Sequence, residues 1–186
     1  MKRWDAIAAL RPLLGDALVV ACNGMIGRDL WATGDRPQHF YMIGSMGLAS
    51  SIGLGLALSR PKRRVVVLDG DGNVLMNLGG LANVAAARPP NLTHVVLDNG
   101  THASTGDQKT ISKGVALEEI ARVAGYRTVH RCIEGEDVAV AARALFSAGG
   151  PAMLLVEVEP GNQAKPPRVG IDARDLALRF REAATS

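Results

Sequence analysis

Two short polar segments contain residues that could bind a metal ion together. Asp69-Gly70-Asp71-Gly72 follows an apolar run rich in β-branched residues, and Asp98-Asn99-Gly100 follows a second apolar run. Because parallel strands end at one edge of a sheet, Asp71 and Asn99 would meet there beside a helix N-terminus. Carboxylate and carboxamide oxygens suit a hard cation such as magnesium, and a helix N-terminus suits a phosphate. The spacing therefore predicts a metal-bridged diphosphate site, with an ordinary strand–helix–strand unit as the alternative.

Strand and helix patterns alternate along the whole chain and predict the elements that would hold these residues. The two apolar runs are predicted as strands 65–68 and 93–97, joined by one helix from about residue 73 to before Arg88. The other predicted strands are 17–21, 40–43, 126–129 and 152–158. The other predicted helices are 3–14, one that contains 28–31, 48–58, 117–124, 138–146 and 172–184. The alternation predicts one α/β domain over residues 1–186, a doubly wound parallel sheet in three α/β/α layers.

Composition excludes several classes of protein. The chain has 186 residues, 47% of them hydrophobic, and a net charge of +3, with no basic block typical of nucleic-acid binding. No apolar run approaches membrane-spanning length, and no signal peptide is recognised at the start. Cys22 and Cys132 are expected to be reduced thiols. We therefore expect a cytoplasmic protein without nucleic-acid or membrane partners.

The order Gly70-Asp71-Gly72, then 25 residues, then Asp98-Asn99 resembles the motif of the thiamine diphosphate enzymes. That motif begins Gly-Asp-Gly and ends Asn-Asn, so this chain departs from it at Asp98. The resemblance implies thiamine diphosphate and Mg²⁺ as cofactors, with Gly70, Gly72 and Asn73 among the cofactor contacts. The implied metal ligands are the Asp71 carboxylate, the Asn99 side-chain oxygen and the backbone carbonyl of Thr101.

Two further turns match the same family. The resemblance places Asn23 and Gly24, which follow the first predicted strand, at the outer phosphate; an ordinary turn is the alternative there. In the Gly44-Ser45-Met46-Gly47 turn, it implies that the Gly44 carbonyl accepts a hydrogen bond from the aminopyrimidine and that Met46 separates the two cofactor rings. The alternative is a glycine turn with a buried methionine.

The segment 100–110 is polar and rich in small residues, which is typical of a functional loop. His102 follows Asn99 by three positions and could exchange protons with a reacting group, or lie at the surface. Ser104 and Gln108 could donate hydrogen bonds to an anionic substrate. Lys165 and Arg168 could close over an acidic ligand, although a solvated tail is the alternative.

Within the family, the chain resembles the β subunits of sulfopyruvate decarboxylases in segments 41–58, 98–106 and 159–162. It also resembles the phosphonopyruvate decarboxylases, which have a similar Gly-Ser-Met-Gly turn and a histidine in the loop after the metal site. This implies a diphosphate-binding subunit for decarboxylation of a small anionic 2-oxo acid. The length is that of one domain, so a pyrimidine-binding α subunit is expected to supply the catalytic glutamate. Alone, the chain is expected to form a homo-oligomer. The alternatives are another 2-oxo acid substrate or a non-catalytic cofactor-binding subunit; a Rossmann module is disfavoured, since no strand leads into Gly-x-Gly-x-x-Gly.

Overall fold

A computed structural model describes residues 1–133, 136–164 and 166–186, so Lys165 lies outside the described residues. The strands, in chain order, are β1 (Leu18–Ala21), β2 (His39–Tyr41), β3 (Val65–Gly70), β4 (Leu92–Asp98), β5 (Thr101–His102), β6 (Gln108–Lys109), β7 (Thr128–Cys132) and β8 (Ala152–Glu157). Six of them form one sheet in the order β2-β1-β3-β4-β8-β7, with every pairing parallel. The strands β5 and β6 form a separate antiparallel hairpin. The predicted doubly wound parallel sheet is confirmed.

Helices cover both faces of this sheet. They are α1 (Arg3–Leu10), α2 (Met25–Ala32), α3 (Ala49–Ser59), α4 (Asp71–Leu75), α5 (Gly79–Ala87), α6 (Leu117–Ala124), α7 (Val138–Ala148) and α8 (Ala173–Thr185). One apolar cluster joins the strands to α1, α2 and α7, and a second joins them to α5 and α6. The three-layer arrangement follows, because each strand of a buried parallel sheet must bury side chains on both faces.

The central strands β3 and β4 hold the site in place. Their register pairs Leu68 with Val95 and Gly70 with Leu97, so both strands end at the same edge. The residues Val65–Leu68 are fully buried, as the β-branched run predicted. Inside α3, a Cβ on Gly53 would lie 2.2 Å from Val67 Cγ2. The small residues of this helix therefore allow close packing on the sheet, as expected.

Several predicted boundaries were wrong. The single helix predicted from about residue 73 is two helices, α4 and α5. The break is stabilised by Asn77, whose Nδ2 donates to the Gly47 carbonyl at 2.9 Å, and α5 starts at two glycines with low helix propensity. The strand predicted at 126–129 begins at Thr128, because Tyr126 packs into the second apolar cluster instead. In the part of the chain that is described, no helix has the length and apolar character needed to cross a membrane.

Candidate cofactor site

The carboxyl ends of β1, β3 and β4 enclose a pocket. The predicted site residues that line it are Asn23, Met46, Gly70, Asp71, Gly72, Asn73, Asn99, Thr101 and His102. Its wall also contains Arg3, Cys22, Met25, Ile26, Leu97, Ala103 and Ser104. The parallel register of β3 and β4 thus brings the carboxylate of Asp71 and the carboxamide of Asn99 into one pocket, as their spacing predicted.

Asp71 is the first residue of α4 and is 1% exposed. Its Oδ2 accepts a hydrogen bond from Thr110 Oγ1 at 2.5 Å. Burial raises the pKa of the Asp71 carboxyl; the hydrogen bond from Thr110 opposes this rise, and the nearby charge of Asp98 adds to it. A buried carboxylate beside another carboxylate is stabilised by a cation, so the electrostatics here favour a bound metal ion.

Oxygen atoms at this pocket fit a hard metal ion. Asn99 is buried, and its Oδ1 accepts from the Thr101 backbone N–H at 3.1 Å. The side-chain oxygens Asn23 Oδ1 and Thr101 Oγ1 are buried and have no hydrogen-bond partner among the described residues. Among the residues that the structure describes, no three His, Cys, Asp or Glu side chains are grouped so that they could hold a metal ion. One carboxylate with amide and backbone oxygens is a donor set for a hard cation.

Asn73 is buried, and its side chain connects two of the predicted turns. Its Oδ1 accepts from the Gly47 N–H at 2.7 Å, and its Nδ2 donates to Asp69 Oδ1 at 2.5 Å. Because both ends of this amide are engaged, the side chain fixes the position of the Met46 turn relative to β3.

Three predicted residues, Gly24, Gly44 and Ser45, are not among those that line this pocket. Gly44 and Ser45 line a separate pocket between β2, α3 and α8. Gly44 and Ser45 are exposed, and Ser45 has a left-handed backbone with φ of 59°, which is uncommon for a residue with a side chain. A Cβ on Gly44 would meet nothing within 4 Å, so this turn faces open space. Gly24 has φ of 88° and precedes α2; a Cβ there would lie 3.4 Å from Ser104 Oγ.

The hairpin β5–β6 places His102 in the pocket and leaves Gln108 outside it. A Cβ on Gly72 would lie 2.5 Å from His102 Cε1, so the imidazole covers the start of α4. Ser104 lines the pocket as well. Gln108 is exposed, and its Oε1 accepts from Thr105 Oγ1 at 2.7 Å within the hairpin. Of the two predicted substrate contacts, the structure therefore brings only Ser104 to the site.

The sequence interpretation missed a buried ion pair behind the pocket. Arg3 is 2% exposed, and its Nε donates to Asp29 Oδ2 at 2.7 Å. Burial raises the pKa of Asp29, and the charge of Arg3 opposes the rise. Arg3 Nη2 also donates to Asn162 Oδ1 at 3.1 Å, and Asn162 Nδ2 donates to the Ala103 carbonyl at 3.1 Å. In the sequence, this ion pair is indicated only by the opposite charges of Arg3 and Asp29, which lie on different helices.

Residues 20–156 match the family described as thiamine pyrophosphate enzyme, C-terminal TPP binding domain. The phosphonopyruvate decarboxylase of Streptomyces hygroscopicus is 46% identical over 183 residues, which cover 96% of this chain and 45% of that protein. The sulfopyruvate decarboxylase subunit beta of Methanothermobacter thermautotrophicus is 45% identical over 180 residues, which cover 97% of this chain and 94% of that subunit. The chain thus spans about half the length of the first of these relatives and nearly all of the second.

The fold is also similar to that of a solved structure. A Mycobacterium smegmatis protein described as a thiamin diphosphate-dependent enzyme aligns with a TM-score of 0.73 at 23% identity. The match covers 87% of this chain and 32% of that protein, and at this identity it supports the fold alone. Taken with the family match, the resemblance predicted from the Gly70–Asn99 motif is confirmed. The chain belongs to the thiamine pyrophosphate enzymes and carries their C-terminal TPP-binding domain.

Proposed function

We propose that this chain is the diphosphate-binding part of a thiamine diphosphate- and Mg²⁺-dependent decarboxylase. The proposed substrate is a small 2-oxo acid with a second anionic group, with sulfopyruvate first and phosphonopyruvate as the alternative. The observation that carries the proposal is the meeting of Asp71 and Asn99 in one pocket of a chain from this family. The two substrates follow the names of relatives at 45% and 46% identity.

In the proposed holoenzyme, the Asp71 carboxylate, the Asn99 side-chain oxygen and the Thr101 carbonyl would hold Mg²⁺. The unpartnered buried oxygens of Asn23 and Thr101 support a polar ligand in the same pocket. Thiamine diphosphate supplies a thiazolium ring that acts as an electron sink during decarboxylation. The protein's own part is to fix the diphosphate, orient the rings against Met46 and exclude water.

His102 is the proposed proton-transfer residue of this chain. Its ring contacts Gly72 at the start of the cofactor motif and lines the pocket. An imidazole that lines the pocket can act as a general acid or base. Ser104 is the proposed substrate contact, since its hydroxyl lies in the same wall.

A second chain is proposed to complete the site and to supply the glutamate that the cofactor pyrimidine requires. Support comes from the end-to-end match with a protein named subunit beta. Exposed apolar side chains also surround the Gly44–Gly47 turn: Ile43 is 75% exposed, Leu48 44% and Met76 61%. An apolar rim around an active-site mouth suits a covering protein surface. We propose a cytoplasmic location, since Cys22 and Cys132 are buried free thiols.

The test is a coupled aldehyde assay with the chain alone and with a pyrimidine-binding α subunit. Three 2-oxo acids are compared: sulfopyruvate, phosphonopyruvate and pyruvate. We expect no turnover by the chain alone, and turnover of the two dianionic substrates once the α subunit is added. The matched control is the same α subunit with its catalytic glutamate changed to glutamine, which should give no aldehyde.

Each outcome of that assay is decisive. Full activity of the chain alone would overturn the two-chain arrangement. A preference for pyruvate would overturn the substrate class. No aldehyde from any of the three acids, together with calorimetric evidence that the complex binds thiamine diphosphate, would favour the non-catalytic alternative.

A further inference from the structure

The segment after the β5–β6 hairpin connects the two ends of the cofactor motif through side-chain hydroxyls. Thr110 Oγ1 donates to Asp71 Oδ2 at 2.5 Å, and Ser112 Oγ donates to Asp98 Oδ1 at 2.8 Å. The two hydroxyl oxygens lie 3.0 Å apart. A continuous chain of polar contacts therefore runs from the carboxylate that begins α4 to the carboxylate that ends β4.

Most of this series of polar contacts is buried, and it is anchored by further contacts. Asp71, Asp98 and Ser112 are 1%, 3% and 6% exposed. The Thr110 backbone N–H donates to the Gly100 carbonyl at 2.9 Å, which holds the segment against the turn after β4. Thr110 also contacts the other end of the motif, since a Cβ on Gly72 would lie 3.4 Å from its Cγ2. Thr110 is therefore held through both its backbone and its side chain.

Asp98 occupies the position at which the chain departs from the family motif, and its surroundings match its charge. Its Oδ1 accepts from the Gly100 N–H at 3.0 Å as well as from Ser112. Lys113 Nζ lies 3.8 Å from its Oδ2. A carboxylate is therefore accommodated here by two hydrogen-bond donors and one cation, and its Oδ1 is an acceptor that an asparagine would also provide.

We infer that Thr110 and Ser112 are positioning residues that set the metal-binding geometry of Asp71 relative to Asn99. Thr110 fixes one oxygen of the Asp71 carboxylate, which restricts its rotation and leaves the other oxygen for a metal. Ser112 anchors Asp98, the immediate neighbour of Asn99, to the same segment. Hydrogen bonds that orient a metal-binding carboxylate typically change metal affinity about 10- to 100-fold when lost. The inference rests on the proposed function, since it assumes Mg²⁺ at this site.

The experiment measures the Mg²⁺ concentration that half-saturates thiamine diphosphate binding to the full chain, by calorimetry. For Thr110→Val, which keeps the shape and removes the hydroxyl, we expect this concentration to rise about 10- to 100-fold. Thr110→Ser should restore a value near wild type, and Ser112→Ala should raise it severalfold. The matched control is Thr105→Val, because Thr105 is an exposed threonine of the same hairpin that bonds only to His102 and Gln108 among the described residues.

Thermal unfolding without Mg²⁺ separates a positioning role from a loss of folding. A Thr110→Val protein that melts near wild type and has an unchanged Mg²⁺ requirement would overturn the inference. If that variant does not fold, the inference then depends on Ser112→Ala, and an unchanged Mg²⁺ requirement in that protein overturns it. If the wild type shows no Mg²⁺-dependent binding at all, the proposed function fails, and the inference fails with it.

Discussion

The imidazole of His102 lies directly on the backbone of Gly72, and a Cβ on that glycine would be 2.5 Å from Cε1 and 2.7 Å from Nδ1. The two residues are brought together because β5 follows β4, whose carboxyl end lies beside that of β3. A histidine in the loop after the proposed metal ligands is thus in contact with the second glycine of the Gly-Asp-Gly motif. This contact places the imidazole at the pocket, which supports the proposal that His102 transfers protons.

Replacing His102 with alanine should lower turnover far more than it weakens cofactor binding. The reason is that the imidazole lines the pocket beside the predicted ligands but is not one of them. Loss of a general acid–base group typically costs about a hundredfold or more in rate. Steady-state kinetics of the complex with the α subunit measure the effect, and His130→Ala, at a half-exposed histidine on β7, is the control. Near-normal turnover would make His102 a structural loop residue.

Gly72→Ala should destabilise the chain, and His102→Ala should relieve much of that cost. An added methyl overlaps the imidazole, and overpacking typically costs about 1 to 3 kcal/mol. Without the imidazole, the remaining neighbour is Thr110 Cγ2 at 3.4 Å. Denaturant unfolding of both single variants and the double variant gives the coupling free energy, which should be about 1 kcal/mol or more. Additive effects would contradict the observed contact.

Gly53 and Gly55 give a matched pair on α3. Gly53→Ala should destabilise the fold by about 1 to 3 kcal/mol, because its Cβ would lie 2.2 Å from Val67 Cγ2 in the central sheet. Gly55→Ala should stabilise it by about 0.5 to 1 kcal/mol, because a Cβ there meets nothing within 4 Å and alanine favours a helix. Chemical denaturation of both variants checks the opposite signs. Equal effects would show that α3 does not pack as described.

The pattern of apolar runs followed by polar turns was enough to predict where Asp71 and Asn99 would meet. Both residues lie at the end of an apolar strand, and the parallel register of the two strands places those ends side by side. The side-chain contacts that hold the site could not be predicted in this way. Thr110 is 39 residues from Asp71, and Asn73 is 26 residues from Gly47. Contacts between such distant residues leave no signature in hydrophobic periodicity.

Helix boundaries show the same limit. The apolar spacing after Asp71 is helical on both sides of residues 76–78, so it predicted one continuous helix. The break depends on Asn77 bonding to the Gly47 carbonyl, which is a tertiary contact. The Arg3–Asp29 pair was also missed, because two opposite charges on separate helices usually lie at the surface. The pair becomes buried only when α1 and α2 pack against each other.

His39 should make the fold less stable as the pH falls from about 6.5 to about 4. Burial, followed by the charge of Arg11, lowers the pKa of His39 from 6.5 to about 4. The unfolded chain therefore binds a proton in this range that the folded chain does not, so stability decreases with decreasing pH. The cost can reach on the order of 3 kcal/mol near pH 4.

Urea unfolding of the wild type and of His39→Gln between pH 4 and pH 7 tests this. The His39 Nδ1 lies 3.2 Å from the Tyr41 hydroxyl, which donates to Asp35, so glutamine retains a polar partner for that hydroxyl. The variant should lose less stability than the wild type over the acid range. Parallel curves would show that His39 does not carry the pH dependence.

Calorimetric binding of thiamine diphosphate, with and without Mg²⁺, tests the central claim most directly. Wild-type chain should bind the cofactor only when Mg²⁺ is present, and weakly, because the pyrimidine end is proposed to be held by a second chain. Asp71→Ala should abolish the Mg²⁺-dependent heat, since it removes the buried carboxylate, whereas Asp16→Ala, at an exposed aspartate, should not change it. Undiminished, Mg²⁺-dependent binding by Asp71→Ala would contradict the account.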